Sequence, residues 1–187
     1  ELVVAGTATQ PESTYGTHKA MAELLVNEYS RRGWVDARIC RLPTISVRPG
    51  KPNSAAPSFA SGIFREPLNG EPGICPVPVY TRMWLSSPDT AVANLVHALT
   101  LDPSRLGPWR VLNVPGVSVT VAEMLTALET VGGAEALARV EHLPAERITA
   151  IVGGWPAAFD ISRTLDLGFR PDASFEDAVR QYHAEFI

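Results

Sequence analysis

The chain has 187 residues, 45% of them hydrophobic and 19% charged, which is enough apolar material for one globular core or one and a half and argues against disorder. A formal net charge of −4, a pI near 5.6 and the absence of any Lys/Arg run remove the electrostatic footprint of a nucleic-acid binder. No apolar segment approaches the ~20 residues of a membrane helix, and only Cys40 and Cys75 are present, so the expectation is a cytoplasmic protein with reduced thiols, no membrane contact and no disulfide framework.

The first strong element is a helix over about 15–32. Ser13 or Thr14 caps it, Ala20, Leu24, Leu25 and Tyr29 recur at helical spacing, and Gly33 stands where a left-handed terminating residue belongs. Its apolar stripe is wide enough to serve both a core and a partner. Residues 37–42 and 45–47 are β-rich, interrupted by Pro43 and closed by Pro49-Gly50, and are expected as a buried strand. A loop rich in Pro, Ser, Ala and Asn fills 51–58, a helix resumes over 59–65, and a short strand is expected near 77–80. From Met83 a strand leads into a helix with Pro88 in its first turn. A strand over 109–114 follows, then a helix opened by a Thr120/Glu123 capping box and stopped by Gly132-Gly133. A strand near 139–143, a loop at 154–156 and a final helix over 175–186 complete the chain.

Strands alternating with helices predict an α/β fold of parallel strands joined by crossover helices, with ligands at the carboxyl ends of the strands. The glycine-rich turn that opens a dinucleotide site is absent, because Gly153-Gly154 precedes Trp155-Pro156 and not a helix. The chain starts Glu1-Leu2-Val3 without Met, which fits a fragment, a processed product or a leader that is not included.

Tyr15 and Lys19 are the residues expected to carry chemistry. Four apart at a capped helix start, they share one face, so an ammonium can sit near the phenol. A phenol titrates near ~10 and a neighbouring cation favours the phenolate, which would let Tyr15 act as a general base. The plain alternative is a surface pair at ordinary helical spacing. With four Tyr and two Lys in the whole chain, random placement gives only about 0.04 such matches, which favours the functional reading.

The segment Pro11-Glu12-Ser13-Thr14-Tyr15-Gly16-Thr17-His18-Lys19 resembles that of the extended short-chain dehydrogenases/reductases, the NAD-dependent epimerase/dehydratase family. The resemblance continues through Arg41-Leu42-Pro43-Thr44-Ile45-Ser46-Val47-Arg48-Pro49-Gly50, the stretch from Thr81 to Asp89, and Asp160-Ile161-Ser162-Arg163 with Leu167-Gly168-Phe169-Arg170-Pro171. It implies the C-terminal part of a Rossmann-type parallel sheet over residues 1–52, carrying the catalytic helix. Residues 53–187 are then mostly a small mixed α/β substrate-binding region, with some segments returning to the first part.

The same resemblance implies NAD as cofactor, a small-molecule substrate and a homodimer packed through the first helix. Tyr15 would take the substrate hydroxyl proton and Lys19 would bind the nicotinamide ribose. Pro43 would contact nicotinamide through its backbone, and Thr44, Ser58 and Arg82 would contact substrate, with Asn53 a further candidate. Each has a plain alternative: Pro43 as a strand terminator, Arg82 as a solvated side chain, Ser58 and Asn53 as a loop without ligand. The family's upstream Ser or Thr would lie before Glu1, and Thr7 and Thr9 are the nearest substitutes. The string from Leu42 to Asn53, followed by Ser58-Phe59-Ala60-Ser61-Gly62-Ile63, resembles the branch of the family that acts on D-erythronate-like acids, and Thr44 in place of the family's Asn and Ser86-Ser87 in place of Val-Asp-Asp likewise favour a small polyhydroxy acid over a nucleotide sugar. A nucleotide-sugar epimerase or dehydratase, and a non-enzymatic fragment or binding module, remain the alternatives. No metal site is expected, since His18, His97, His142 and His183 lack ligand spacing, and His97 reads as a helix-packing residue.

Overall fold

The computed structural model describes residues 2–4, 6–51 and 56–187. Helix α1, Thr14–Arg31, starts where Ser13 Oγ accepts the Gly16 N–H at 3.1 Å, and Gly33, at φ 73°, provides the left-handed residue just past its end. The chain then enters β1, Ile39–Arg41, which pairs in parallel with β5, Val111–Asn113. Pro43 has no N–H to continue that ladder. Beyond it β2, Thr44–Ile45, belongs to a second sheet, parallel to β4, Arg82–Ser86, which runs antiparallel to β6, Val117–Thr120. The stretch expected as one buried strand is therefore two half-buried ones, divided at Pro43. A third sheet pairs β3, Gly73–Cys75, with β7, Val140–His142, again in parallel. The α/β class with parallel strands is as expected.

The larger apolar cluster gathers Ile63 and Phe64 of α2, Phe59–Leu68, with Leu85 of β4, Met124 and Leu128 of α4, Val121–Ala138, and Val179 of α7, Phe175–Phe186. A smaller cluster joins Ala98 of α3, Pro88–Thr100, to Leu112, Val114, Leu167 and Phe169 beside β5. His97 packs here as expected: its Nε2–H donates to the Leu167 carbonyl at 2.9 Å, and its ring stands edge-on to Phe169. The Thr120/Glu123 capping box is formed, but Gly133, at φ 77°, only kinks α4, which resumes to Ala138.

Other expectations need correction. No strand forms at 77–80, because Pro76 and Pro78 lack ladder donors; the strand lies earlier, at β3. Strand β6 and helices α5, Glu146–Gly153, and α6, Ser162–Asp166, were not foreseen, and Gly153-Gly154 ends α5 before the expected loop. Leu24, Leu25 and Tyr29 remain exposed on this chain, and α1 buries only Asn27 and Ser30. No described helix is long and apolar enough to cross a membrane.

Ser86 and Ser87, read from the sequence as marks of substrate preference, are buried and structural. The Asp172 carboxylate accepts from Ser86 Oγ (3.2 Å), Ser87 N–H (2.9 Å), Ser87 Oγ (2.5 Å) and Thr90 Oγ1 (2.6 Å). An anion at the start of α3 also meets the positive end of the helix dipole. Asp172→Ala strands these donors, and we expect a loss of about 3 kcal/mol, read as a lower urea midpoint at unchanged slope.

Candidate active site

Tyr15, Lys19 and Glu23 follow one another at four-residue spacing along one face of α1. The Lys19 ammonium lies over the Tyr15 ring, 5.3 Å from its centroid. All three side chains line a cavity of about 490 Å³ whose opposite wall includes Arg41, Pro43, Thr44 and Arg48. Four of the six residues expected to form the site, Tyr15, Lys19, Pro43 and Thr44, thus meet in one place. Tyr15 is 73% exposed and so open to a ligand. Among the described residues the one carboxylate in this lining is Glu23, and it is engaged: Arg41 Nε donates to Oε1 at 2.8 Å and Nη2 to Oε2 at 2.6 Å.

Pro43 and Thr44 also face a second cavity, of about 170 Å³, shared with Arg82, Trp84, Trp155 and Phe159. Trp84 and Phe159 touch, with ring centroids 5.5 Å apart. Arg82, about half exposed, donates from Nη1 to the Ser118 carbonyl at 3.2 Å and stands 3.8 Å from Glu123. The two cavities share a wall held by a close approach: a Cβ on Gly116 would come within 2.7 Å of the Leu85 carbonyl and 2.9 Å of the Pro43 ring. Only glycine lets the turn before β6 pass so near Pro43.

Ser58 ends a short 3-10 turn, Ala56–Ser58, one residue beyond Pro57, which lines the larger cavity; Ser58 is not itself in either lining. Asn53 lies outside the described residues. Thr7 and Thr9 are not brought to Tyr15: they line a different cavity, on the far side of Glu23 and Arg41. Sequence reasoning missed Glu23, Arg41 and Arg48, and the aromatic wall of Trp84, Trp155 and Phe159. Glu23 carried a signal, since it continues the Tyr15/Lys19 spacing by one step; the others depend on contacts between distant segments. Among the described residues no three His, Cys, Asp or Glu side chains gather as metal ligands. Cys40 and Cys75 are free thiols, both pushed up in pKa by burial.

No family model matches the chain. It is 50% identical over 182 residues to a D-erythronate dehydrogenase of Haemophilus influenzae, covering 97% of this chain and 58% of that protein. It is 55% identical over 181 residues to a D-erythronate dehydrogenase of Cupriavidus necator, covering 97% and 56%. The crystal structure of a nucleoside-diphosphate-sugar epimerase from Agrobacterium tumefaciens superposes with a TM-score of 0.94 at 42% identity, over 99% of this chain and 54% of that one. The chain thus spans little more than half the length of the relatives it matches, and it corresponds to their C-terminal part.

Proposed function

From its homology to D-erythronate dehydrogenases over 97% of its length, we propose that the chain carries the catalytic face of an extended short-chain oxidoreductase. Its reaction is the oxidation of one hydroxyl of a small, D-erythronate-like polyhydroxy acid, with NAD as cofactor. The observation that supports this reading is the convergence of Tyr15, Lys19, Pro43 and Thr44 on one cavity, with Arg82 reaching the same Pro43-Thr44 wall from the second.

The larger cavity suits the nicotinamide end of a dinucleotide. Its volume lies within the roughly 300–1,000 Å³ of ligand sites, and Lys19 and Arg48 offer cationic donors to ribose and phosphate oxygens. Lys19 and Pro43 would hold that end, and NAD, when bound, supplies the hydride-accepting carbon. Tyr15 removes the substrate hydroxyl proton as general base, and the Lys19 charge beside its ring favours the phenolate that does so. Thr44, on the wall common to both cavities, orients the substrate between them. Arg82 takes the carboxylate with two parallel N–H donors. The smaller cavity falls below the range for large ligands, which favours an acid of a few carbons over a nucleotide sugar.

In the same proposal residues 1–52 face the dinucleotide and residues 53–187 mostly the substrate, with β5 returning to pair with β1. That division falls at residues outside the described ones. A cytoplasmic location and a homodimer through α1 belong to the proposal as well, the latter supported by the exposed Met21, Leu24 and Leu25.

Three measurements on the full-length protein test this. Tyr15→Phe should lower kcat by ~10²–10⁴-fold while titrated NAD still binds; retention of more than about a tenth of the rate would sink the general-base role. Arg82→Leu should cost at least about tenfold in kcat/KM for D-erythronate and leave the matching neutral alditol almost unaffected. Equal losses would make Arg82 structural. Sedimentation should show a dimer, and a strict monomer at high concentration would dispose of the α1 interface.

A further inference from the structure

Lys19 and Glu23 stand four residues apart on α1, the spacing at which opposite charges on a helix attract. A free Glu23 carboxylate would therefore draw the Lys19 ammonium away from Tyr15. Both Glu23 oxygens are instead taken by the Arg41 fork, at 2.8 and 2.6 Å, in a pair only 14% and 21% exposed. Lys19 makes no ion pair among the described residues and lies over the Tyr15 ring. Among the described residues of the lining the remaining charged group is Arg48, also a cation.

We infer that Arg41 is a positioning residue for the reaction: by occupying both oxygens of Glu23 it leaves Lys19 uncompensated beside Tyr15. This rests on the reading of Tyr15 and Lys19 as the catalytic pair. Among the described residues Arg41 makes no hydrogen bond or ion pair to either of them, and its influence passes through Glu23. Loss of Arg41 therefore does two things at once, removing a tether between α1 and β1 and releasing a carboxylate next to Lys19. Removal of Glu23 as well undoes the second effect but not the first.

The chain has two lysines, so Lys51 serves as an internal standard for Lys19. The full-length protein is treated with limiting acetic anhydride at fixed pH, and the Lys19:Lys51 acetylation ratio is read by peptide mass spectrometry. Arg41→Gln should lower that ratio by about two- to five-fold, the scale of an exposed ion pair, and Glu23→Gln/Arg41→Gln should restore it. A purely structural Arg41 would leave the ratio unchanged, or raise it as α1 loosens, and either result overturns the inference. Glu23→Gln alone should not change the ratio; a rise would show that Glu23 already holds Lys19, which also overturns it even if Arg41→Gln fails to fold. In hydride-transfer assays kcat should fall about tenfold in Arg41→Gln and largely return in the double variant. If wild-type protein transfers no hydride from any small hydroxy acid, the proposed function fails, while the acetylation ratios still decide the role of Arg41.

Discussion

The bidentate contact between Glu23 of α1 and Arg41 of β1 fixes where the helix that carries Tyr15 and Lys19 sits. One turn further along, Asn27 Oδ1 accepts the Arg110 N–H at 2.8 Å, just ahead of β5. Both contacts are directional, and they carry the attachment because α1 buries only Asn27 and Ser30 within this chain. Apolar packing tolerates small slides of one element over another; a guanidinium fork and an amide do not. A half-buried ion pair adds little net stability once desolvation is counted, but it strongly specifies one arrangement. The orientation of Tyr15 and Lys19 over the β1 end is therefore set by charge geometry more than by burial.

Strand chemistry decides where that helix face finds its complement. Parallel strands leave their carboxyl ends open to ligands, and β1 ends at Arg41, one residue short of Leu42-Pro43. Pro43 cannot extend the β1–β5 ladder, so the chain steps across to the β2–β4–β6 sheet and Thr44 begins a new pairing, opposite Leu85. The step leaves Leu42 exposed and Thr44 half-buried between two sheets, and Gly116 permits the turn before β6 to close over it. A proline and a glycine together create the wall that both cavities share.

What the sequence revealed is what depends on neighbours in the chain. The α1 helix, its Ser13 cap and Gly33 stop, the Thr120/Glu123 box and the Tyr15/Lys19 spacing all rest on interactions within four residues, and all are present. The resemblance to extended short-chain dehydrogenases likewise agrees with the D-erythronate dehydrogenases as relatives. Strand β6 was hidden because its four residues form a ladder only against β4, some 35 positions away. The contact of Ser86 and Ser87 with Asp172 was hidden for the same reason: nothing local shows that Asp172 will reach them. Arg41 is 18 residues from Glu23, so its part in the site could not be read from spacing either.

The charge pattern of the two cavities follows from how their nearby carboxylates are disposed of. The chain as a whole is acidic, at −4, yet the groups left available around the site are cationic. Glu23 is neutralised by Arg41, leaving Lys19 and Arg48 without ion-pair partners among the described residues. Glu123, the carboxylate that pairs with Arg82 among the described residues, is turned instead to the α4 start, where the Thr120 N–H and hydroxyl donate to it at 2.6 and 2.8 Å. Those bonds hold its carboxyl below its usual range, with Arg82 contributing less. Arg82, at 3.8 Å and with one other bond, to a carbonyl, keeps guanidinium donors for an incoming anion. Two acidic side chains are thus engaged by protein partners, and on the proposed function the resulting field would favour an anionic substrate in an otherwise acidic protein.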